Sequence, residues 1–124
     1  MKKSLDPRHL KRIDIMQQLF SDSFKNKRQN VRNPDINGIY KNQENIDNLI
    51  EGSAPQFPIK KIARVDVAIL RLAVYELMIA KKEPFKVIID EAVELAKEFG
   101  SASSSSFING VLGTIYNKLS NESR

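Results

Sequence analysis

The 124-residue sequence predicts an all-α protein, a compact helical bundle of about five main helices in two small subdomains. Apolar residues recur at three- and four-residue spacing along nearly the whole chain, which is typical of amphipathic helices. No stretch alternates apolar and polar residues with period two, so no strand is expected. With 41% apolar residues the chain can bury one modest core, and a single domain over residues 1–124 is therefore expected.

The first predicted helix begins at Asp6-Pro7, where a capping residue precedes a proline in the first turn, and reaches about residue 25. Its predicted core-facing arc comprises Leu10, Ile13, Met16, Phe20 and Phe24. The opposite arc comprises the cations Arg8, Lys11 and Arg12 together with two apolar residues, Ile15 and Leu19. Apolar side chains beside a basic face either lie under another helix or contact a partner protein, so Ile15 and Leu19 are candidate partner contacts.

The other helices follow from periodicity and from their end signals. After a polar, basic loop over 25–34, a weaker helical pattern over 36–50 is interrupted by Gly38. The stretch 59–82 is apolar around nearly its whole circumference, which predicts a central buried helix. A helix over about 86–99 ends at Gly100, and a last helix over about 105–119 follows a serine-rich turn.

These helices divide the chain into three parts. We expect residues 1–6 to form a flexible basic arm, 7–52 the N-terminal helices and 59–120 the C-terminal helices. No apolar run approaches the roughly 20 residues that span a bilayer, so a cytoplasmic protein without membrane contact is expected.

The sequence offers little for catalysis. It has no cysteine, which excludes a thiolate metal site and a cysteine nucleophile, and its one histidine, His9, lies in a basic segment where a contact to nucleic acid or solvent is expected. No Gly-rich phosphate loop is present, and we expect no enzyme activity, no metal and no cofactor. An acidic stripe on the helix at 86–99 favours a solvated or ion-paired face over a metal site; it comprises Asp90, Glu91, Glu94 and Glu98. Arg71 and Glu76 in the central helix are expected to form structural ion pairs with neighbouring helices, Arg71 with a carboxylate near Glu91, because an unpaired buried charge is costly.

The positive charge is concentrated at the N-terminus. Residues 1–32 hold nine basic and three acidic side chains, whereas residues 33–124 hold eleven basic and twelve acidic ones. Such asymmetry suggests a polyanionic or acidic partner. The cations of the first helix, extended by Lys2 and Lys3 in the arm, therefore form a candidate RNA- or DNA-binding patch; a merely solvated face stays open at this point.

Three ordered blocks stand out in the chain: AILRLAVYEL at 68–77, EPFKVIIDEAVELAKEFG at 83–100 and SSSFINGVL at 104–112. Together they resemble the NusB family of transcription antitermination factors. The first helix also resembles the family's arginine-rich start, with Arg8-His9, Arg12, Gln17 and Leu19-Phe20. This resemblance implies an all-helical protein without enzymatic activity that binds single-stranded boxA-type RNA. It also implies two partners, a NusE-like small-subunit ribosomal protein and the elongating RNA polymerase.

The resemblance also implies site residues. The family's RNA-contacting cluster matches Arg8, His9 and Arg12, with Lys11 beside them, and a second RNA-contacting segment matches Ser103 to Phe107. Phe107 either stacks on an unpaired base or packs in the core. The side on which the NusE-like partner docks matches Glu76, and Phe20 stands near that side.

The sequence departs from the family pattern in several places, and two of them bear directly on the expected binding surfaces. Only residues 21–45 separate Phe20 from Ile46, which predicts a shortened N-terminal half. Ser106 stands where the family commonly has Lys, which weakens the second RNA patch. Two alternatives stay open: a protein-interaction module with weak RNA binding, and a homodimer that hides the basic face.

Overall fold

The computed structural model describes residues 6–25, 33–54 and 56–122. Within them it contains helices and no strand, so the all-α prediction is confirmed. The α-helices are α1 (Pro7–Asp22), α2 (Pro34–Lys41), α3 (Gln43–Ser53), α4 (Arg64–Tyr75), α5 (Phe85–Phe99) and α6 (Ser104–Glu122). A 3-10 turn (Ile59–Lys61) precedes α4, and a π-helical segment (Glu76–Ala80) extends it. None of the described helices is long and apolar enough to cross a membrane.

The start of α1 forms as the sequence predicts. The side chain of Asp6 accepts a hydrogen bond from the backbone N–H of Arg8 at 2.8 Å, and Pro7 occupies the first turn, where its missing N–H costs nothing. The helix ends at Asp22 rather than at residue 25. Most of the predicted basic loop, residues 26–32, lies outside the described residues, as do Lys2 and Lys3 in the arm. The predicted shortening between Phe20 and Ile46 therefore stays a prediction.

The buried face of α1 differs from the predicted one. Ile15 and Leu19 are each only 3% exposed, whereas Leu10 is 49% and Phe24 61% exposed. The prediction that Ile15 and Leu19 lie on a free surface is therefore wrong. Compared with the prediction, α1 is rotated about its own axis, so that the polar residues His9 and Arg12 are buried as well. The prediction assumed that the cations of this helix all face solvent, and Arg12 does not.

The weak pattern over 36–50 is two helices rather than one. Asn42 separates them: its side-chain amide donates to the carbonyl of Gly38 at 2.7 Å, and its backbone N–H caps α2. Gly38 has a packing role here, since a Cβ atom at this position would lie 2.8 Å from Cε1 of Tyr75. Glycine therefore lets α2 approach α4 closely.

Helix α4 lies at the centre of the fold, and its prediction as a buried helix is confirmed. It contacts all five other α-helices, and most of its residues are buried. Arg71 makes a structural ion pair as expected, but with a different partner. Its guanidinium donates two hydrogen bonds of 2.9 Å to Asp47 of α3, so the prediction of a partner near Glu91 is wrong.

Candidate nucleic-acid interface

The N-terminal turn of α1 is held to α5 by His9. This side chain is 1% exposed, and its two ring nitrogens lie 2.7 Å from a carboxylate oxygen of Glu91 and 2.9 Å from one of Glu98. Burial alone lowers the pKa of His9, but the hydrogen bonds to the two carboxylates outweigh it and raise the pKa above its ordinary value. Because only the protonated ring donates from both nitrogens, this arrangement favours the imidazolium ion.

One turn later, Arg12 anchors α1 to the segment that joins α4 to α5. Its guanidinium donates to both carboxylate oxygens of Glu76, at 3.0 and 2.8 Å, and also to Glu83. The side chain of Arg12 is only 8% exposed. Burial alone lowers the pKa of Arg12, but the hydrogen bonds and charges of Glu76 and Glu83 have the larger effect and raise the pKa above its ordinary value. The guanidinium is therefore held in its charged form.

These contacts change the expected roles of three residues. His9 and Arg12 lie beneath the surface among carboxylates, so the prediction that they present exposed cations to RNA is wrong. Glu76 forms the structural ion pair predicted for it, with Arg12, so its carboxylate is not free for the predicted partner contact. Sequence periodicity missed this cluster because the carboxylates that neutralise α1 come from segments more than 60 residues away along the chain.

The ion-paired interpretation of the acidic stripe is confirmed for three of its members. Glu91 and Glu98 bond His9, and Glu94 lies 3.8 Å from Lys97. No cluster of three metal-ligating side chains that could hold an ion is present within the described ranges.

The exposed cations that line a cleft at this end of the described structure are Arg8, Lys11 and Lys82. The side chain of Arg8 is 69% exposed and donates to Glu83 at 2.9 Å, and that of Lys11 is 59% exposed and lies 3.0 Å from Asp35. Together with Lys82 they line a cleft of about 230 Å³, and we call these three residues the α1 basic rim. Exposed ion pairs of this kind contribute little free energy, so a phosphate can replace the carboxylate at small cost.

The carboxylate of Asp35 also belongs to this cleft. Burial raises the pKa of Asp35, but the Lys11 ammonium and the Tyr75 hydroxyl, which donates to Asp35 at 3.1 Å, lower it below its ordinary value. Lys82 was not among the site residues predicted from the sequence. Its place in the rim follows from the left-handed residue Lys81 (φ 51°), which ends the π-helical segment and turns the chain back towards α1.

The second predicted RNA segment lies elsewhere. Ser103 is exposed just before α6, and Phe107 is half-buried against the edge of Phe57, with ring centroids 5.7 Å apart. Phe107 lines a separate cleft of about 400 Å³, and neither Ser103 nor Phe107 lines the cleft of the α1 basic rim. Of the two open readings of Phe107, the structure supports packing against the core, with one part of the ring still accessible.

Phe20 is the one aromatic residue among the four predicted partner contacts, and part of its ring is accessible. It is half-buried and packs edge to face on Phe24 at a centroid distance of 5.0 Å. The sequence placed Phe24 in the core, so the exposure of this ring was missed.

Comparisons with known proteins point to one family. The model of the NusB family matches residues 11–117. The transcription antitermination protein NusB of Herpetosiphon aurantiacus is 47% identical over 90 residues, which cover 70% of this chain and 62% of that protein. This chain therefore spans less than two thirds of that relative's length.

Two solved structures share the fold. NusB of T. maritima matches with a TM-score of 0.84 and 30% identity over 91% of this chain and 92% of that chain. A crystal structure of the antitermination factors NusB and NusE in complex with double-stranded RNA matches with a TM-score of 0.75 and 23% identity, over 91% of this chain and 99% of that chain. At the latter identity the similarity shows the fold alone.

Proposed function

Because the chain belongs to the NusB family, we propose that it is a transcription antitermination factor that binds boxA-type single-stranded RNA. In this proposal it acts in the bacterial cytoplasm with a NusE-like ribosomal protein, and the pair joins an elongating RNA polymerase. The match to the NusB family model and the names of its relatives support this assignment. Its function is binding rather than catalysis.

The α1 basic rim is the observation that carries the RNA-binding part of the proposal. Arg8, Lys11 and Lys82 present their charges to solvent around one cleft, and the sequence places Lys2 and Lys3 a few residues before them. Cations that contact phosphates supply most of the sequence-independent free energy of nucleic-acid binding. Base contacts come from the joint surface with the partner.

In this proposal His9 and Arg12 support RNA binding from beneath. Their ion pairs with Glu76, Glu91 and Glu98 fix the first turns of α1 against the C-terminal helices. Arg8 and Lys11 flank these buried side chains on the same turns, so the buried pairs set the positions from which the exposed cations reach phosphates. The role is positioning rather than direct contact.

The proposal is tested by titrating a labelled boxA-type RNA and a scrambled RNA with the protein, followed by fluorescence anisotropy. We expect tighter binding of the boxA-type RNA, and a further gain when the NusE-like protein is added. Equal, weak binding to both RNAs in the presence of the partner would contradict the proposal. That result would favour the alternative of a protein-interaction module. The structure gives this alternative less support than the sequence does, because Ile15 and Leu19 are buried and most of the acidic stripe is ion-paired.

A further inference from the structure

The far end of α1 carries a second basic cleft that the proposed function leaves unused. It has a volume of about 450 Å³ and lies between the last turn of α1, the junction of α2 with α3, and the start of α4. Four cationic side chains and one carboxylate line it; these are Lys25, Lys60, Arg64, Arg71 and Asp22. Of the four cations, Arg71 is neutralised by Asp47, which leaves an excess of positive charge from the other three.

The remaining cations are available to a ligand. Lys25, Lys60 and Arg64 are all exposed, and within the described part of the chain neither lysine has an ion-pair partner. Arg64 spends one N–H on the carbonyl of Ser23, and a guanidinium has five such donors. The wall carboxylate, Asp22, is buried and accepts hydrogen bonds from the side chains of Gln18 and Tyr40, so it is engaged within the protein.

An exposed aromatic ring lies beside these cations. Phe24 is 61% exposed, and the Arg64 guanidinium lies 4.4 Å from the centroid of its ring. The edge-to-face contact with Phe20 fixes the orientation of Phe24. Cations that follow a backbone, combined with an aromatic ring on which a base can stack, are the two components of sequence-tolerant binding of single strands.

We propose that this cleft is a second RNA subsite, in which Lys25, Lys60 and Arg64 contact phosphates and Phe24 stacks on an unpaired base. The inference rests on the proposed RNA-binding function, because it assigns the subsite to nucleotides that flank the core RNA bound at the α1 basic rim. In the sequence three further cations, Lys27, Arg28 and Arg32, follow Lys25, and such a basic run favours a polyanionic ligand.

The placement of the two clefts fits one continuous strand. Both lie on the flank of α1 that packs against α2: Asp35 at the start of α2 lines the first cleft, and Tyr40 near its end lines the second. The stretch of α1 from Lys11 to Asp22 that separates them is about 16 Å long at 1.5 Å per residue. An acidic protein would be attracted by the same cations, but the alignment of both clefts along α1 favours a single strand that continues from the α1 basic rim.

The test compares a boxA-type core RNA with the same RNA carrying a uridine extension at either end. Each is titrated with the wild-type chain, with the double variant Lys25→Ala/Lys60→Ala, and with Phe24→Ala. The matched control is Lys86→Ala/Lys97→Ala, which removes two exposed charges from α5 outside both clefts. Melting temperatures of all variants are measured to confirm that each is folded.

For the wild type we expect one extended RNA to bind more tightly than the core. The Lys25→Ala/Lys60→Ala variant should lose this gain, and its slope of log affinity against log salt for the extended RNA should fall by about 1.4, since each single-strand phosphate contributes about 0.7. Phe24→Ala should weaken extended-RNA binding about fivefold or more. Core-RNA affinity should stay unchanged in both variants, and the control should keep the gain.

Two results would overturn the subsite: no gain from either extension, which would leave the cations of this cleft to an acidic protein, or a gain that the Lys25→Ala/Lys60→Ala variant retains, which would place the extension elsewhere. If the core RNA binds in these cases, the proposed function stands without the subsite. If only extended RNA binds and the double variant abolishes it, the subsite stands and the boxA-type function fails. If no RNA binds even when the NusE-like protein is added, both fail.

Discussion

Replacing Arg12 by Met is expected to destabilise the fold strongly, because it removes the buried cation that pairs with Glu76, with Glu83 and, at 4.0 Å, with Glu91. Glu76 would lose its bidentate partner, and no other ion-pair partner of Glu76 is found within the described residues. Glu83 would keep Arg8, and Glu91 would keep His9. One carboxylate is thus left uncompensated at 18% side-chain exposure, and two are left partly compensated.

Breaking a buried ion pair from one side costs about 3–5 kcal/mol, which is a large part of the roughly 5–15 kcal/mol that stabilises a small domain. We therefore expect the melting temperature of Arg12→Met to fall by about 10–20 °C. The assay is urea denaturation monitored by circular dichroism, with thermal melting alongside. Arg8→Met is the matched control, because it removes an exposed arginine from the same helix and should leave the melting temperature nearly unchanged.

A second replacement separates charge pairing from packing. In the double variant Arg12→Met/Glu76→Gln the uncompensated carboxylate is gone, so part of the lost free energy of unfolding should return. Arg12→Lys keeps the charge but not the planar fork that bonds both Glu76 oxygens, and it should lie between Arg12→Met and the wild type. A loss below about 1 kcal/mol for Arg12→Met would refute the reasoning, because it would place Arg12 among solvent-exposed pairs.

Two other predictions concern stability. Because the pKa of His9 is raised in the folded state, the stabilisation that His9 provides is present below its unfolded pKa of about 6.5 and is lost as pH rises through the folded pKa. In urea denaturation, the stability advantage of the wild type over His9→Gln should therefore be larger at about pH 6 than at about pH 9. An advantage that grows with pH would contradict this prediction. Gly38→Ala should lower the free energy of unfolding by about 1–3 kcal/mol, because the new Cβ would lie 2.8 Å from Tyr75. Gly110→Ala meets nothing within 4 Å and should instead stabilise α6 by about 0.5–1 kcal/mol. Equal effects of the two changes on the urea midpoint would show that the contact with Tyr75 is relaxed in solution.

The helical class and the central position of α4 could be predicted from the sequence. A helix with apolar residues around its whole circumference has to be buried on all sides. The sequence was insufficient for the orientation of α1. There, Leu10 and Phe24 were assigned to the core from their hydrophobicity, yet both are exposed. Periodicity assumes that cations avoid the interior, and this fails where distant carboxylates enter the same interior.

The candidate site was predictable only in part for the same reason. Arg8 and Lys11 are exposed as expected, but Lys82 joins them through a chain reversal at Lys81 that no local pattern signals. The cleft at the other end of α1 is lined by both Lys25 and Lys60. These residues are far apart in the sequence, and helical periodicity does not predict which distant residues come together. Contacts of this kind depend on how the helices pack rather than on any one of them.

The most direct test of the account is the salt dependence of boxA-type core RNA affinity for the wild type and for Arg8→Ala/Lys11→Ala, measured with the NusE-like partner present. We expect the double variant to bind more weakly and its slope of log affinity against log salt to be smaller by about 1.4. Its melting temperature should stay close to that of the wild type, since both side chains are exposed. Lys86→Ala/Lys97→Ala, which loses the same charge elsewhere, should bind like the wild type. Unchanged affinity and slope in the Arg8→Ala/Lys11→Ala variant would contradict the claim that RNA is held at the α1 basic rim.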